Sequence, residues 1–178
     1  MIKNCRCLIY LYFCREKSFR VLKTLLLLIG KTTERYMSEG VAEYVGRLSH
    51  YIDLRVKVLP DSNNTKSLTA EERKEREGQA LLNEIEEKDD VVLLDERGEE
   101  YTSVEFARFL QKRYNMGRRR LVFVIGGAYG FSKAVQSRAD AKVSLSRMTF
   151  SHQMVRLIFV EQLYRANTII KGEHYHHE

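Results

Sequence analysis

The sequence predicts an α/β domain with a mainly parallel sheet covered by helices on both faces. Three observations carry that prediction. From Lys23 onward, short apolar runs alternate with stretches of helical length. Several of those runs, such as TLLLLIG and LVFVI, are apolar without alternation, as strands buried on both faces are. Two capping-box patterns, Thr69 with Glu72 and Thr102 with Glu105, open helices between strands.

The elements follow in order. TLLLLIG (24–30) ends in glycine and reads as a buried strand. Residues 34–50 form a helix with Tyr36, Val41, Tyr44, Val45 and Leu48 on its apolar side. LRVKVLP (54–60) alternates and stops at the single proline, as a half-buried strand would. A polar loop leads to the first capping box and a charged helix to about residue 88. Residues 90–98 are a strand and turn, and the second capping box opens a helix to about residue 115. LVFVIGGAYG (121–130) is a strand running into glycines, a short helix covers 132–138, and KVSLS (142–146) is the last strand. A helix apolar almost all round then covers 152–169 and should be buried. Its cations Arg156 and Arg165 need partners or a task there. In parallel sheets, ligands bind outside the carboxyl ends of the strands. Three loops fall at those ends: DERGEEY after Leu94, GGAYG after Ile125, and SRMTFSHQ after Leu145.

With 178 residues, 44% hydrophobic and 30% charged, the chain suits one domain with a real core. The charge of +6 is unevenly spread. Residues 71–90 hold four Lys/Arg against nine Asp/Glu, so the rest carries +11. The basic positions Lys112, Arg113, Arg118, Arg119 and Arg120 read as a solvated face or as a phosphate-contacting patch. All three cysteines lie in the first 22 residues, which excludes a disulfide framework or a cysteine metal site for the domain. The early run CLIYLYFC is too short to span a membrane and lacks a cleavage site. Residues 1–22 are expected to stand outside the fold, with the domain at 23–178.

Two glycine motifs are incomplete. Gly30-Lys31-Thr32 resembles the end of a phosphate-binding loop, but Leu25 stands where that motif needs its first glycine. Gly126-Gly127-Ala128-Tyr129-Gly130 lacks the first glycine of a dinucleotide fingerprint, because Ile125 occupies that place. The segment is either a tight turn or a place where missing side chains let a ligand touch backbone. Glu161 and Arg165 are spaced for a helix ion pair. The histidines at 174, 176 and 177 show no zinc spacing, and no metal site is expected.

Three features taken together carry a resemblance: VIGGAYG at 124–130, LSRMTFSHQMVRLIFVEQLYRA at 145–166, and the terminal GEHYHHE. The chain is similar to the small SPOUT-class methyltransferases that methylate a pseudouridine of 23S ribosomal RNA at ring nitrogen 3. The resemblance runs from Lys23 to the end, 156 residues, and KTLLLLIGKTTE matches the family's usual start. It implies a cytoplasmic, S-adenosylmethionine-dependent enzyme acting on 23S rRNA in the ribosome. It also implies a C-terminal trefoil knot, a rare exception to unknotted topology, and a homodimer packed through the last helix. By the resemblance, Leu94, Gly126, Leu145, Ser146, Arg147, Met148, Thr149 and Phe150 contact the cofactor, with Gly127 and Gly130 shaping the same turn. Tyr175 and His176 of the partner's tail close over the target nucleotide. Arg165 would stabilise the substrate anion, and His152 or His176 would take the proton.

The chain leaves the family pattern at two positions. Ser151 stands where proline is usual before the loop histidine, and His177 where Lys or Arg usually follows Tyr-His. Two competing readings make distinct predictions. A nicotinamide-dependent oxidoreductase would need a ribose-binding acid about twenty residues beyond the glycines, near Arg147, which the chain lacks. A non-catalytic RNA-binding module would bind RNA in a salt-sensitive way without responding to a methyl donor.

Overall fold

The computed structural model describes residues 23–61 and 68–173. Residues 1–22 and the tail positions Tyr175, His176 and His177, on which expectations were placed above, lie outside them. The described chain alternates β1 (Lys23–Ile29), α1 (Arg35–Leu48), β2 (Asp53–Leu59), α2 (Ala70–Leu82), β3 (Asp90–Glu100), α3 (Ser103–Tyr114), β4 (Leu121–Ile125), α4 (Lys133–Arg138), β5 (Ala141–Ser144) and α5 (His152–Lys171). The five strands form one sheet in the order β2-β1-β4-β3-β5, and every pairing is parallel.

Side chains alternate across a strand, so each apolar run feeds two cores. Leu26, Leu28, Val92, Leu94, Phe123 and Ile125 pack with α1, α3 and α5. Leu25, Leu27, Ile29, Val91, Leu93, Val122 and Val124 pack with Leu81 of α2 and with Phe131 and Val135 at α4. The result is three layers, helix–sheet–helix, as expected for unalternating strands. Both capping boxes form: Thr69 and Thr102 each accept from the third helical N–H, and Glu72 and Glu105 accept in return from the cap backbone.

Two elements differ from the expectation. β2 does not read as half-buried, because Arg55, Val56, Lys57 and Val58 are all exposed. It is the edge strand beside β1, and it packs into the two cores only near its ends, at Leu54 and Leu59. α2 ends at Leu82, well before residue 88. The carbonyls that follow are taken by guanidinium groups: Arg120 donates to Glu84 O, and Arg138 donates to Glu86 O and Asp89 O. These bonds hold a turn where helix was expected.

α5 is buried along Arg156, Phe159, Val160, Leu163, Ala166, Asn167 and Thr168, and lies between α1 and α3. Its outer stripe of Met154, Ile158, Glu161 and Arg165 remains half-buried.

Candidate active site

The carboxyl ends of β3, β4 and β5 open into one cavity of about 670 Å³. This lies in the size range of small-molecule and cofactor sites. Leu94, Ile125, Phe131, Leu145 and Val155 supply its apolar wall, with Asp95 and Glu96 among its polar lining.

The first wall exists because β3 leaves its ladder. Val92–Leu94 pair with Ala141–Val143, then Glu99 and Glu100 resume against Val143 and Ser144. Residues 95–98 are thereby pushed out beside the cavity. The second wall is the glycine turn, closed by an antiparallel bridge between Gly127 and Gly130, with Gly130 at φ 76°. The turn folds back on itself, and Ser132 caps the six-residue α4 that follows. The dinucleotide fingerprint therefore does not form. The third wall is the loop after β5, tied by hydrogen bonds from Ser144 Oγ to Ser146 O (2.9 Å), Met148 N to Ser146 Oγ (2.9 Å) and Thr149 Oγ1 to Glu96 Oε2 (3.3 Å).

Of the residues expected to bind cofactor, Leu94, Gly126, Gly127, Leu145, Ser146, Met148, Thr149 and Phe150 all line this cavity. Arg147 does not. Its side chain is 90% exposed and donates to Glu100 at 3.0 Å. Ser151 caps α5, accepting from Met154 N at 3.3 Å. Its φ of −61° is the angle a proline would fix. The backbone conformation is thus kept without the proline.

His152, the first residue of α5, lines the cavity. Burial and the neighbouring Arg156 hold its pKa below the ordinary value, against an opposite pull from Glu77 and Asp61. It is therefore disposed to be a neutral base at neutral pH. Arg165 is elsewhere. It pairs with Glu161 at 2.6 Å, as the spacing suggested. Thirteen positions separate it from His152, about 20 Å along the helix. Within one chain it does not reach the cavity.

Arg156 is fully buried and donates to Thr32 Oγ1 at 2.9 Å and Ile29 O at 2.5 Å. The Gly30-Lys31-Thr32 segment is thus an anchor for a buried arginine, not the start of a phosphate-bound helix. The clustered arginines at 113, 119 and 120 also find structural work. They pair with Asp90, Glu86 and Asp89 at the amino ends of the strands, opposite the cavity. Three of the five cations in the basic cluster thus pair with three of the nine carboxylates of the acidic segment.

The sequence reading missed Phe131, Val155, Asp61 and Glu77. Glu77 was detectable, since it precedes Leu81 by four and shares its buried helix face.

Residues 22–176 match the family described as "Predicted SPOUT methyltransferase". The chain belongs to the SPOUT methyltransferase family. As a member of that family it uses a methyl donor, and the cavity at the strand ends is of cofactor size. Among its relatives are proteins named ribosomal RNA large subunit methyltransferase H. The one from Porphyromonas gingivalis is 53% identical over 157 residues, covering 88% of this chain and 100% of that protein. That of Parabacteroides distasonis is 52% identical over 153 residues, with 86% and 98% covered. That of Christiangramia forsetii is 51% identical over 152 residues, with 85% and 97% covered. The SpoU methyltransferase AviRb of Streptomyces viridochromogenes aligns at 14% identity and a TM-score of 0.43, over 85% of this chain and 61% of that one. Among the described residues of this SPOUT methyltransferase, no helix is long and apolar enough to cross a membrane. No group of three or more His, Cys, Asp or Glu there could hold a metal ion.

Proposed function

We propose that this SPOUT methyltransferase transfers a methyl group from S-adenosylmethionine to ring nitrogen 3 of a pseudouridine in 23S rRNA, on the assembled ribosome and as a homodimer. One observation carries the reading: a single cofactor-sized cavity gathers the β3, β4 and β5 loops, in a chain half identical to relatives named for ribosomal RNA methylation.

The lining suits S-adenosylmethionine in its chemistry. Leu94, Ile125, Phe131 and Leu145 offer apolar surface to an adenosine, and the 126–130 and 145–150 backbones offer polar groups. The Asp95 and Glu96 carboxylates on the rim favour a cationic ligand. When bound, the donor supplies an electrophilic methyl group on a sulfonium. The protein then has to align the target nitrogen and remove its proton. His152 lies at the cavity and takes the imide proton, with His176 of the tail as the alternative base.

Arg165 enters only through a second copy. Two chains crossing on the half-buried stripe of Met154, Ile158, Glu161 and Arg165, with a two-fold axis near Ile158, would bring each Arg165 to the other's cavity. There it stabilises the anion formed at the pyrimidine. The tail's Tyr175 and the exposed Tyr129 offer faces for a looped-out base. Lys74, Arg97 and Lys142 line the cavity and are placed to meet phosphate. The knot implied by the resemblance belongs to the same proposal and would keep the 145–151 loop in shape between turnovers.

The test is methyl transfer from labelled S-adenosylmethionine to free 23S rRNA, 50S subunits and 70S ribosomes lacking the mark. Label at nitrogen 3 of a pseudouridine in the ribosomal particles is expected, falling steeply as salt rises. No label on any of the three would overturn the reading.

A further inference from the structure

Behind the main cavity lies a second, water-sized one. It has a volume of about 20 Å³ and is lined by Ile29, Asp61, Glu77, Gly127, Ala128, Tyr129 and His152. A water needs roughly 10–15 Å³ of such space and two or more polar partners. Asp61, Glu77 and His152 supply those partners. His152 is shared by both cavities, so this small pocket adjoins the base proposed above.

Glu77 is 5% exposed, unusual for a carboxylate on a strongly charged helix. It sits under the second glycine of the turn. A β-carbon at Gly127 would stand 2.5 Å from Glu77 Oε2, so the carboxylate fills the space a side chain would use. Its neighbour Gly78 lies equally close against Ser132, the N-cap of α4. The Glu77–Gly78 step of α2 is thus a wedge beneath the whole 126–132 turn.

We infer that Glu77 is a positioning residue: its buried carboxylate sets the glycine turn from below and, with Asp61, faces His152 across the small cavity and orients it toward the substrate. The inference rests on the reading of His152 as the base. Among the described residues, four groups face His152 here: Arg156 on its own helix, Asp61 after β2, Glu77 on α2 and Tyr129 in the turn. Arg156 disfavours the imidazolium, while Asp61 and Glu77 favour it. Removing one or the other should therefore move the histidine in opposite directions.

The experiment is an NMR titration of the histidine ring signals of the full chain, with the His152 signal assigned by its loss in His152→Gln. In Glu77→Gln, which keeps shape and removes charge, His152 should titrate at lower pH than in the unaltered protein. In Arg156→Met it should titrate at higher pH. The acid limb of the methyl-transfer rate should move with it in each variant. An unchanged titration in Glu77→Gln would overturn the inference, whatever Asp61→Asn does. If the titration moves while the pH–rate profile stays put, the Glu77–His152 contact stands and the role of His152 as base fails. A second measurement is independent of activity. Gly127→Ala should lower Tm by about 3–10 °C in the unaltered protein, and by less in a Glu77→Ala background, where only the 3.3 Å approach to Ile29 remains. Equal losses in the two backgrounds would count against the wedge.

Discussion

A β-carbon at Gly98 would stand 2.5 Å from the Val143 carbonyl carbon and 2.6 Å from its nitrogen. The neighbour is backbone, so nothing there can swing aside. Gly98→Ala should therefore force β3 away from β5 where the ladder resumes after the 95–98 excursion. The expected cost is about 1–3 kcal/mol in urea unfolding, together with weaker methyl-donor binding by calorimetry, since that excursion is a cavity wall. At this scale the sequence was uneven. Leu94, Gly126 and the 145–150 loop apart from Arg147 line the cavity, and a family motif and a strand-end rule both pointed to them. Arg147 lies in the same motif, yet its long side chain turns out to Glu100. Adjacency in sequence does not fix which way a flexible side chain points. The burial of Glu77 was readable from its spacing to Leu81, but its place beside Gly127 and that of Asp61 beside His152 were not, because those neighbours meet in space, never in sequence.

At the scale of elements, the departure at Ser151 can be weighed. The hydroxyl caps α5, and the backbone already holds the angle of a proline. Ser151→Ala should cost about 1 kcal/mol by loss of the cap. Ser151→Pro, which restores the family's usual residue, should come within about 0.5 kcal/mol of the unaltered chain, because a stiffer unfolded state offsets the lost cap. Urea midpoints of the two variants decide this. The capping boxes of α2 and α3 give a pH dependence. Hydrogen bonds from Thr69 and Thr102 hold Glu72 and Glu105 below their ordinary value of 4.5. Carboxylates lowered in the folded state stabilise it above that value, and the contribution is lost as pH falls through the lowered one. Helical circular dichroism in moderate urea should decline across that acid window. It should decline less in a Glu72→Gln, Glu105→Gln double variant, which has no carboxylate at either helix start to protonate. Both helix starts were legible because a capping box is a local device. The end of α2 was not, since it is made by Arg120 and Arg138 arriving from 36 and 52 residues away.

For the whole molecule, parallel strands place every strand-end loop on one side of the sheet, and that is why three distant segments make one cavity. The opposite end is occupied by the Arg113–Asp90 and Arg120–Asp89 pairs and their neighbours. The net positive charge of the chain therefore overstates what that end can offer to RNA. The alternation of strands and helices was enough to read this architecture. The exposure of β2 was not legible, because Val56 and Val58 alternate just as half-buried residues do. Only strand order reveals an edge. Arg165 raises the remaining question at this scale, since it lies about 20 Å from His152, the proposed base, on the same helix. A complete site on this account needs two chains. The most direct test is primer extension across 23S rRNA from a strain lacking this gene, complemented by the unaltered chain or by Arg165→Ala. A methyl group on ring nitrogen 3 removes the donor that base pairing uses, so it halts the copying enzyme. The account predicts a stop at one pseudouridine with the unaltered gene, no stop in the deletion strain and a much weaker stop with Arg165→Ala. An identical stop pattern in all three would contradict it.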